Sequence, residues 1–418
     1  MIEGILGALA VYIGVWFSIY SISNLFVKDK VLGYILPSVF LFQFLIFPKD
    51  IAFIGETFGY YISVVYGILP IPLTSPISFL IMIFMIKLLN IPEYIALDII
   101  RGVFTTLSTL FVYKIVLHVY KKRIIGIVSS ILFGFSYVQF FYMAGDQYKN
   151  LIANTFFIIL IYILLKKINI KCNNKDFMLI SILSILCILS HNFYIYIIPF
   201  IGVMFLLINK NVIKKYKELI IFSLVLPFLL VLYKYFTFIH IKFVDRYLKY
   251  GNDLGIYHIV DGFNHLGNTL FFILGLYIVL YIVFINKIIN KKCLFLFFTF
   301  FQLFILGNMY FIGINLVPFR FTMINLPFIM IFISYIIDKY KDNIKFINIY
   351  KWTFIFLGTI LYLILNILFI KFSIGSGCDY NDLWYYLVHF WIDPTFILGN
   401  YYLLVPFFFM FIFLISIC

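Results

Sequence analysis

Long apolar segments, separated by short polar ones, run through almost the whole chain. A helix needs about 20 apolar residues to cross a bilayer, and thirteen segments approach or exceed that length. We predict spans at 4–26, 31–47, 103–119, 124–143, 151–165, 177–194, 195–208, 219–238, 267–286, 293–310, 319–337, 351–373 and 397–417. Segment 77–89 is apolar but only about two thirds of the length of a span, so we expect it to lie along the membrane surface.

The composition agrees with this pattern. Hydrophobic residues make up 65% of the 418 residues, charged residues 11%, and the mean hydropathy is +1.10. No polar stretch is long enough to form a soluble domain. The sequence therefore predicts an all-α integral membrane protein, a bundle of about 13 transmembrane helices with juxtamembrane segments in the first long loop.

The net charge of +14 follows membrane topology and does not indicate nucleic-acid binding. If segment 77–89 does not cross the membrane, all the basic loops lie on one side of it. Counting Lys114, that side holds 21 Lys+Arg and 5 Asp+Glu. The remaining chain holds 10 Lys+Arg and 12 Asp+Glu. Short basic loops face the cytoplasm, so we predict that the N-terminus is outside. These cytoplasmic loops are 28–30, 121–123, 166–175, 210–217, 287–292 and 339–351.

Five residues on the predicted outer face are candidates for chemistry. Ionisable groups at membrane depth usually serve a function, although each residue also has a structural explanation. An acid such as Asp146 can cap a helix N-terminus, an arginine can extend to the interface, and a histidine can form a helix-end hydrogen bond. The candidates are Glu56, Asp146, Lys149, His191 and Arg320.

Other polar features of the sequence point to structural roles. Asp98 and Arg101 are three residues apart on one helix, a spacing that favours pairing with each other. The cysteines offer no outer pair for a disulfide. No regular Cys/His spacing indicates a metal site, and no phosphate loop or nucleophile elbow is present. We therefore predict no metal and no cofactor.

The order of short motifs resembles the multi-span glycosyltransferases of the C fold type (GT-C). An early acid in the first outer loop is followed by a Pro-rich stretch, a short apolar segment and the start of the next span. The resemblance covers most of residues 31–337. The motifs that carry it are Gly55–Tyr61, Leu69–Pro72, Ile91–Arg101, Gly145–Asn150, Ser190–His191 and Pro318–Phe321.

The resemblance implies inverting transfer of a sugar from a polyprenyl-phosphate carrier to an acceptor lipid, glycan or protein at the outer face of the cell membrane. Glu56 and Asp146 would then be catalytic, and Arg320, Lys149 and His191 would bind the substrate and its phosphate. The first-loop acid is Glu where the family more often has Asp. The chain also lacks a Trp-Trp-Asp-Tyr-Gly motif, which favours similarity to protein mannosyltransferases and aminoarabinose transferases over oligosaccharyltransferases.

We divide the chain into an extra N-terminal span at 1–30, a GT-C-like catalytic module at 31–337, and C-terminal spans without a soluble domain at 338–418. A flippase or exporter of lipid-linked saccharide is an alternative, as is a polysaccharide polymerase or ligase. A transporter is expected to carry ionisable residues near the bilayer midplane. In this chain the charged residues of the predicted spans lie mostly near the span ends, and Lys114 and Lys234 are the least terminal of them.

Overall fold

The computed structural model describes residues 2–45, 62–72, 75–135, 148–170, 172–209, 275–285, 290–308 and 318–340. All regular secondary structure in these ranges is helical, which confirms the all-α fold. The α-helices are α1 Ile2–Phe26, α2 Lys30–Leu45, α3 Pro76–Ile83, α4 Glu93–Tyr120, α5 Arg123–Gly134, α6 Tyr148–Lys167, α7 Asn174–Ser190, α8 Tyr194–Ile208, α9 Lys291–Asn308 and α10 Pro318–Tyr340. The π-helical segment Phe84–Leu88 continues α3, and a second, Tyr281–Ile285, follows helical residues 275–280.

Two helices in the described ranges are long and apolar enough to cross a membrane. They are Ile95–Tyr120 within α4, and α6. Segment α3 and its π-helical continuation are together shorter, at 13 residues. The predicted spans 219–238, 351–373 and 397–417 lie outside the described residues.

Two helix boundaries differ from the sequence prediction. Helix α5 ends at Gly134, whereas we predicted a span to 143; residues 136–147 lie outside the described part. At this end, Gln43 Nε2 donates a hydrogen bond of 3.0 Å to the Gly134 carbonyl. The helix predicted over 177–194 already ends at Ser190, and α8 begins only at Tyr194.

Helix α6 lies at the centre of the bundle. Thirteen of its twenty residues are buried, and it packs against α4 and α7. Small polar side chains join it to α4, because the hydroxyl oxygens of Thr155 and Ser108 lie 2.8 Å apart and Thr155 also donates to the Phe104 carbonyl at 3.1 Å. Such residues allow close helix packing inside a membrane.

Predicted cytoplasmic loops that the structure describes meet at one end of the bundle, which we call the basic end. Arg123 binds both carboxylate oxygens of Asp29, with Nε at 2.6 Å and a terminal nitrogen at 2.9 Å. Lys122 pairs with Asp338 at 2.5 Å, and Lys167 pairs with Asp176 at 2.7 Å. The loops before α2, α5 and α7 and the end of α10 therefore share this end.

The contact between Asp29 and Arg123 bears directly on segment 77–89. Loops 28–30 and 121–123 lie at the same end, so α2, which begins there, and α4, which ends there, run in opposite directions. This is the arrangement that the basic loops predicted. The Arg123 guanidinium also lowers the pKa of the Asp29 carboxyl to about 2. This ion pair therefore contributes stability at neutral pH that is lost as the pH falls from about 4 towards 2.

The topology can be tested by cysteine labelling from outside intact cells, in a background without native cysteines. We expect an impermeant maleimide to modify a probe at position 62 or 147. Ile62 packs against the apolar cluster that includes Tyr148, and position 147 directly precedes α6, which begins at Tyr148, opposite the basic end. Probes at 122 and 169, at the basic end, are expected to react only after permeabilisation. Labelling of position 122 in intact cells would contradict the topology.

Candidate functional site

The end opposite the basic end is organised around a buried arginine, and we call it the Arg101 end. The Arg101 side chain is fully buried and ion-paired with Asp98 on the preceding turn of α4. Its Nε also donates a hydrogen bond of 2.6 Å to the Gln43 carbonyl of α2. The predicted pairing of Asp98 and Arg101 is thus confirmed, and the same guanidinium additionally fixes the end of α2 against α4.

Segment α3 lies across the Arg101 end, against the start of α6 and the end of α7. Ser78 donates a hydrogen bond of 3.2 Å to the Ser190 carbonyl, and the Lys149 ammonium lies 5.7 Å from the centre of the Phe79 ring. Leu80, Phe84 and Leu88 recur every fourth residue and are exposed. Segment α3 therefore covers two helix ends with one face and presents an apolar face outward.

His191 forms the break between α7 and α8. Its Nδ1 accepts a hydrogen bond of 3.2 Å from the backbone N–H of Phe193, and its ring stacks on that of Phe193 at 4.9 Å. This is the helix-end hydrogen bond that we considered as the structural explanation. Because Nδ1 accepts, a neutral His191 carries its proton on Nε2.

Lys149 and Arg320 occupy matching positions on two helices that run in the same direction. Both α6 and α10 begin at the Arg101 end, and their Phe157 and Phe328 rings lie 6.1 Å apart. Each basic residue precedes its phenylalanine by eight positions, about 12 Å along a helix. The next residue after Arg320, Phe321, packs 5.2 Å from Phe193. The backbone of Arg320 therefore lies at the same end as Lys149 and His191.

Buried polar side chains lie one turn deeper on these helices. Asn154 precedes Phe157 by three residues, and Asn325 precedes Phe328 by three. Residues three apart lie on the same face of a helix, so each amide shares a face with the phenylalanine that joins α6 to α10. The Tyr194 ring packs 5.4 Å from Phe157. All three side chains are at most 2% exposed. We call Asn154, Tyr194 and Asn325 the polar layer.

The polar layer contains groups whose hydrogen bonding is incomplete. Within the described residues, both amide atoms of Asn154, the Tyr194 hydroxyl and Asn325 Oδ1 have no hydrogen-bond partner. A buried polar atom without a partner costs about 1–3 kcal/mol, so such atoms call for a water molecule or a ligand hydroxyl. Amide and phenol groups hydrogen-bond readily to hydroxyl groups, while the basic residues above them suit an anion.

Only part of the predicted site can be located. Glu56 and Asp146 lie outside the described residues, as does the Arg320 side chain. The roles of all five candidates remain predictions. The sequence prediction omitted the polar layer, although an amide inside an apolar span, as at Asn154 and Asn325, is a usable signal. Within the described residues no group of three His, Cys, Asp or Glu side chains is arranged to hold a metal ion.

Comparison with known proteins does not assign this chain to a family. No protein-family model matches the sequence, and no curated protein matches it.

Proposed function

We propose that the chain is a multi-pass protein of the cell membrane, with about 13 spans, that transfers a sugar from a polyprenyl-phosphate carrier to an acceptor. In this proposal the Arg101 end faces outward and contains the active site. The observation that carries it is the order of groups along α6 and α10: basic residues at the helix ends, then a buried polar layer, then an apolar core.

This order matches the parts of the proposed donor. A polyprenyl phosphate has a long apolar chain, a charged phosphate and a polyhydroxyl sugar. Lys149 and Arg320 supply positive charge for the phosphate. The unpartnered polar atoms of Asn154, Tyr194 and Asn325 are suited to sugar hydroxyls, and the exposed apolar face of α3 and the surrounding lipid accommodate the chain.

The proposed reaction uses one carboxylate as a base. The Glu56 carboxylate accepts the proton of the acceptor hydroxyl as its oxygen attacks the anomeric carbon. The bond from that carbon to the phosphate oxygen breaks, and the phosphate leaves with its electron pair towards Arg320 and Lys149. Asp146 orients the acceptor. One glycosidic bond forms with inversion, and one sugar–phosphate bond is lost.

The position of Lys114 counts against a carrier. It was one of two ionisable residues expected nearest the middle of a span, yet it lies close enough to Lys166 for the two charges to interact. Lys166 is in the last turn of α6, at the basic end. Lys114 thus belongs to the basic end and not to a midplane site.

Arg320 offers the most direct test. Because charge-assisted hydrogen bonds contribute about 1.5–3 kcal/mol, we expect Arg320→Ala to weaken binding of polyprenyl-phosphate sugar by about 10- to 100-fold. Arg320→Lys should recover part of the loss, since it keeps the charge but not the planar fork. Binding is measured on purified protein in nanodiscs, and transfer is measured in proteoliposomes with donor and acceptor outside.

Lys87→Ala is the matched control. Lys87 belongs to the π-helical continuation of α3, and its ammonium lies over the Tyr66 ring at 5.6 Å. The Lys87→Ala variant removes one positive charge near the Arg101 end, and we expect little change in donor binding. Equal binding by wild type and Arg320→Ala would exclude the phosphate role. Absence of transfer with every polyprenyl-phosphate sugar would contradict the function itself.

A further inference from the structure

A second group of basic residues converges at the basic end, far from the proposed active site. The His118 Nε2 lies 2.8 Å from the Lys292 ammonium and 3.2 Å from the Leu165 carbonyl oxygen. Lys121 and Lys166 also act electrostatically on His118. We call Lys114, His118, Lys121, Lys166 and Lys292, drawn from α4, α6, α9 and the α4–α5 turn, the basic platform.

Aromatic rings hold the platform in place. The Lys114 ammonium lies 5.0 Å from the Phe111 ring centre, and the Lys166 ammonium lies 5.4 Å from the Tyr162 ring centre. The Phe111 and Tyr162 rings pack 5.4 Å apart, and the His118 ring lies 6.4 Å from Tyr162. Contacts with ring faces position the two lysines without neutralising their charge.

Carboxylates at this end are paired with other basic residues. Asp29 binds Arg123, Asp176 binds Lys167, and Asp338 binds Lys122. Across the described ranges, none of the four platform lysines forms an ion pair with a carboxylate. Positive charges held together in this way repel one another, and an anion bound between them would relieve that repulsion.

The contact of His118 indicates where the anion binds. A neutral imidazole nitrogen either accepts a hydrogen bond from an ammonium or donates one to a carbonyl, so Nε2 cannot satisfy both Lys292 and Leu165. When Nε2 donates to the Leu165 carbonyl, the Lys292 ammonium requires another acceptor. The other platform lysines are donors only and cannot accept a hydrogen bond from it, whereas a phosphate oxygen can.

We propose that the basic platform binds the phosphate of an anionic phospholipid at the membrane surface. The platform lies at the ends of helices that include α4 and α6, the two helices long and apolar enough to cross a membrane. Lipid headgroups lie at the ends of such helices, and basic pockets between helix ends suit anionic headgroups. The proposal requires only that the chain lies in a membrane, and not that it transfers a sugar.

Native mass spectrometry of the purified full-length protein tests this site. The probes are phosphatidylglycerol, phosphatidylcholine and inorganic phosphate. Each lysine near a charged membrane surface contributes about 1 kcal/mol, so we expect Lys166→Gln or Lys292→Gln to weaken phosphatidylglycerol binding about fivefold and the double variant about 25-fold. Lys175→Gln, which removes an exposed charge at the same end outside the platform, should change binding less than about twofold.

Three outcomes would overturn the proposal. The first is an equal loss in Lys175→Gln and Lys292→Gln, which would indicate diffuse attraction to the whole basic end. The second is equal binding of phosphatidylcholine, and the third is displacement of phosphatidylglycerol by inorganic phosphate at the same concentration. Folding of each variant is checked by its unfolding temperature. Lys114→Gln, which leaves the His118 contacts intact, serves as a second variant if Lys292→Gln does not fold.

Discussion

Replacement of Arg101 by alanine is expected to destabilise the protein more than replacement of Lys122, Arg123 or Lys167, the basic partners in the ion pairs of the basic end. The substitution removes the guanidinium from the largely buried Asp98 carboxylate and the Nε donor from the Gln43 carbonyl. Removing one partner of a buried ion pair costs about 3–5 kcal/mol. The free energy of unfolding is measured by titrating purified protein from mild detergent into dodecyl sulfate.

Arg123→Ala is a matched control, since it also removes an arginine paired with an aspartate. Its side chain is exposed, so we expect a loss of about 1 kcal/mol or less. A double variant, Arg101→Met with Asp98→Leu, should recover most of the lost stability because it removes both charges from the interior. Equal small losses for Arg101→Ala and Arg123→Ala would show that burial of Arg101 does not matter to stability.

The sequence was sufficient for features that depend on local spacing or on the membrane. The three-residue interval between Asp98 and Arg101 predicted their pairing, and the distribution of lysines predicted that loops 28–30 and 121–123 share one end. It was not sufficient for the contact between Arg101 and the Gln43 carbonyl. That contact joins residues 58 positions apart and arises only when α2 and α4 pack.

Boundaries and buried faces were harder to predict for a physical reason. Residues 177–208 are apolar almost throughout, so hydropathy alone does not place the break at His191, which depends on a side-chain hydrogen bond to Phe193. The polar layer raises the same difficulty. The asparagines at positions 154 and 325 are visible in the sequence. That they lie at the same depth in the bundle depends on the packing of Phe157 against Phe328.

Loss of the proposed base is expected to have the largest effect on activity. Glu56→Gln keeps the size and hydrogen-bonding shape of the side chain but removes its ability to accept a proton. General base catalysis contributes about 10²- to 10⁴-fold to rates, so we expect transfer to fall by that factor while binding of the polyprenyl-phosphate donor is unchanged. The comparison of binding with transfer separates a chemical role from a structural one.

Asp146→Asn distinguishes the two explanations of the second acid. Asp146 precedes α6 by two residues, so it is suited either to orient the acceptor or to stabilise the helix N-terminus. An acceptor role predicts a raised KM for the acceptor with an unchanged unfolding temperature. A helix-end role predicts the reverse, with a loss of about 0.3–1 kcal/mol in stability and normal kinetics. If Glu56→Gln and Asp146→Asn both retain full transfer, neither carboxylate takes the acceptor proton and the proposed mechanism is wrong.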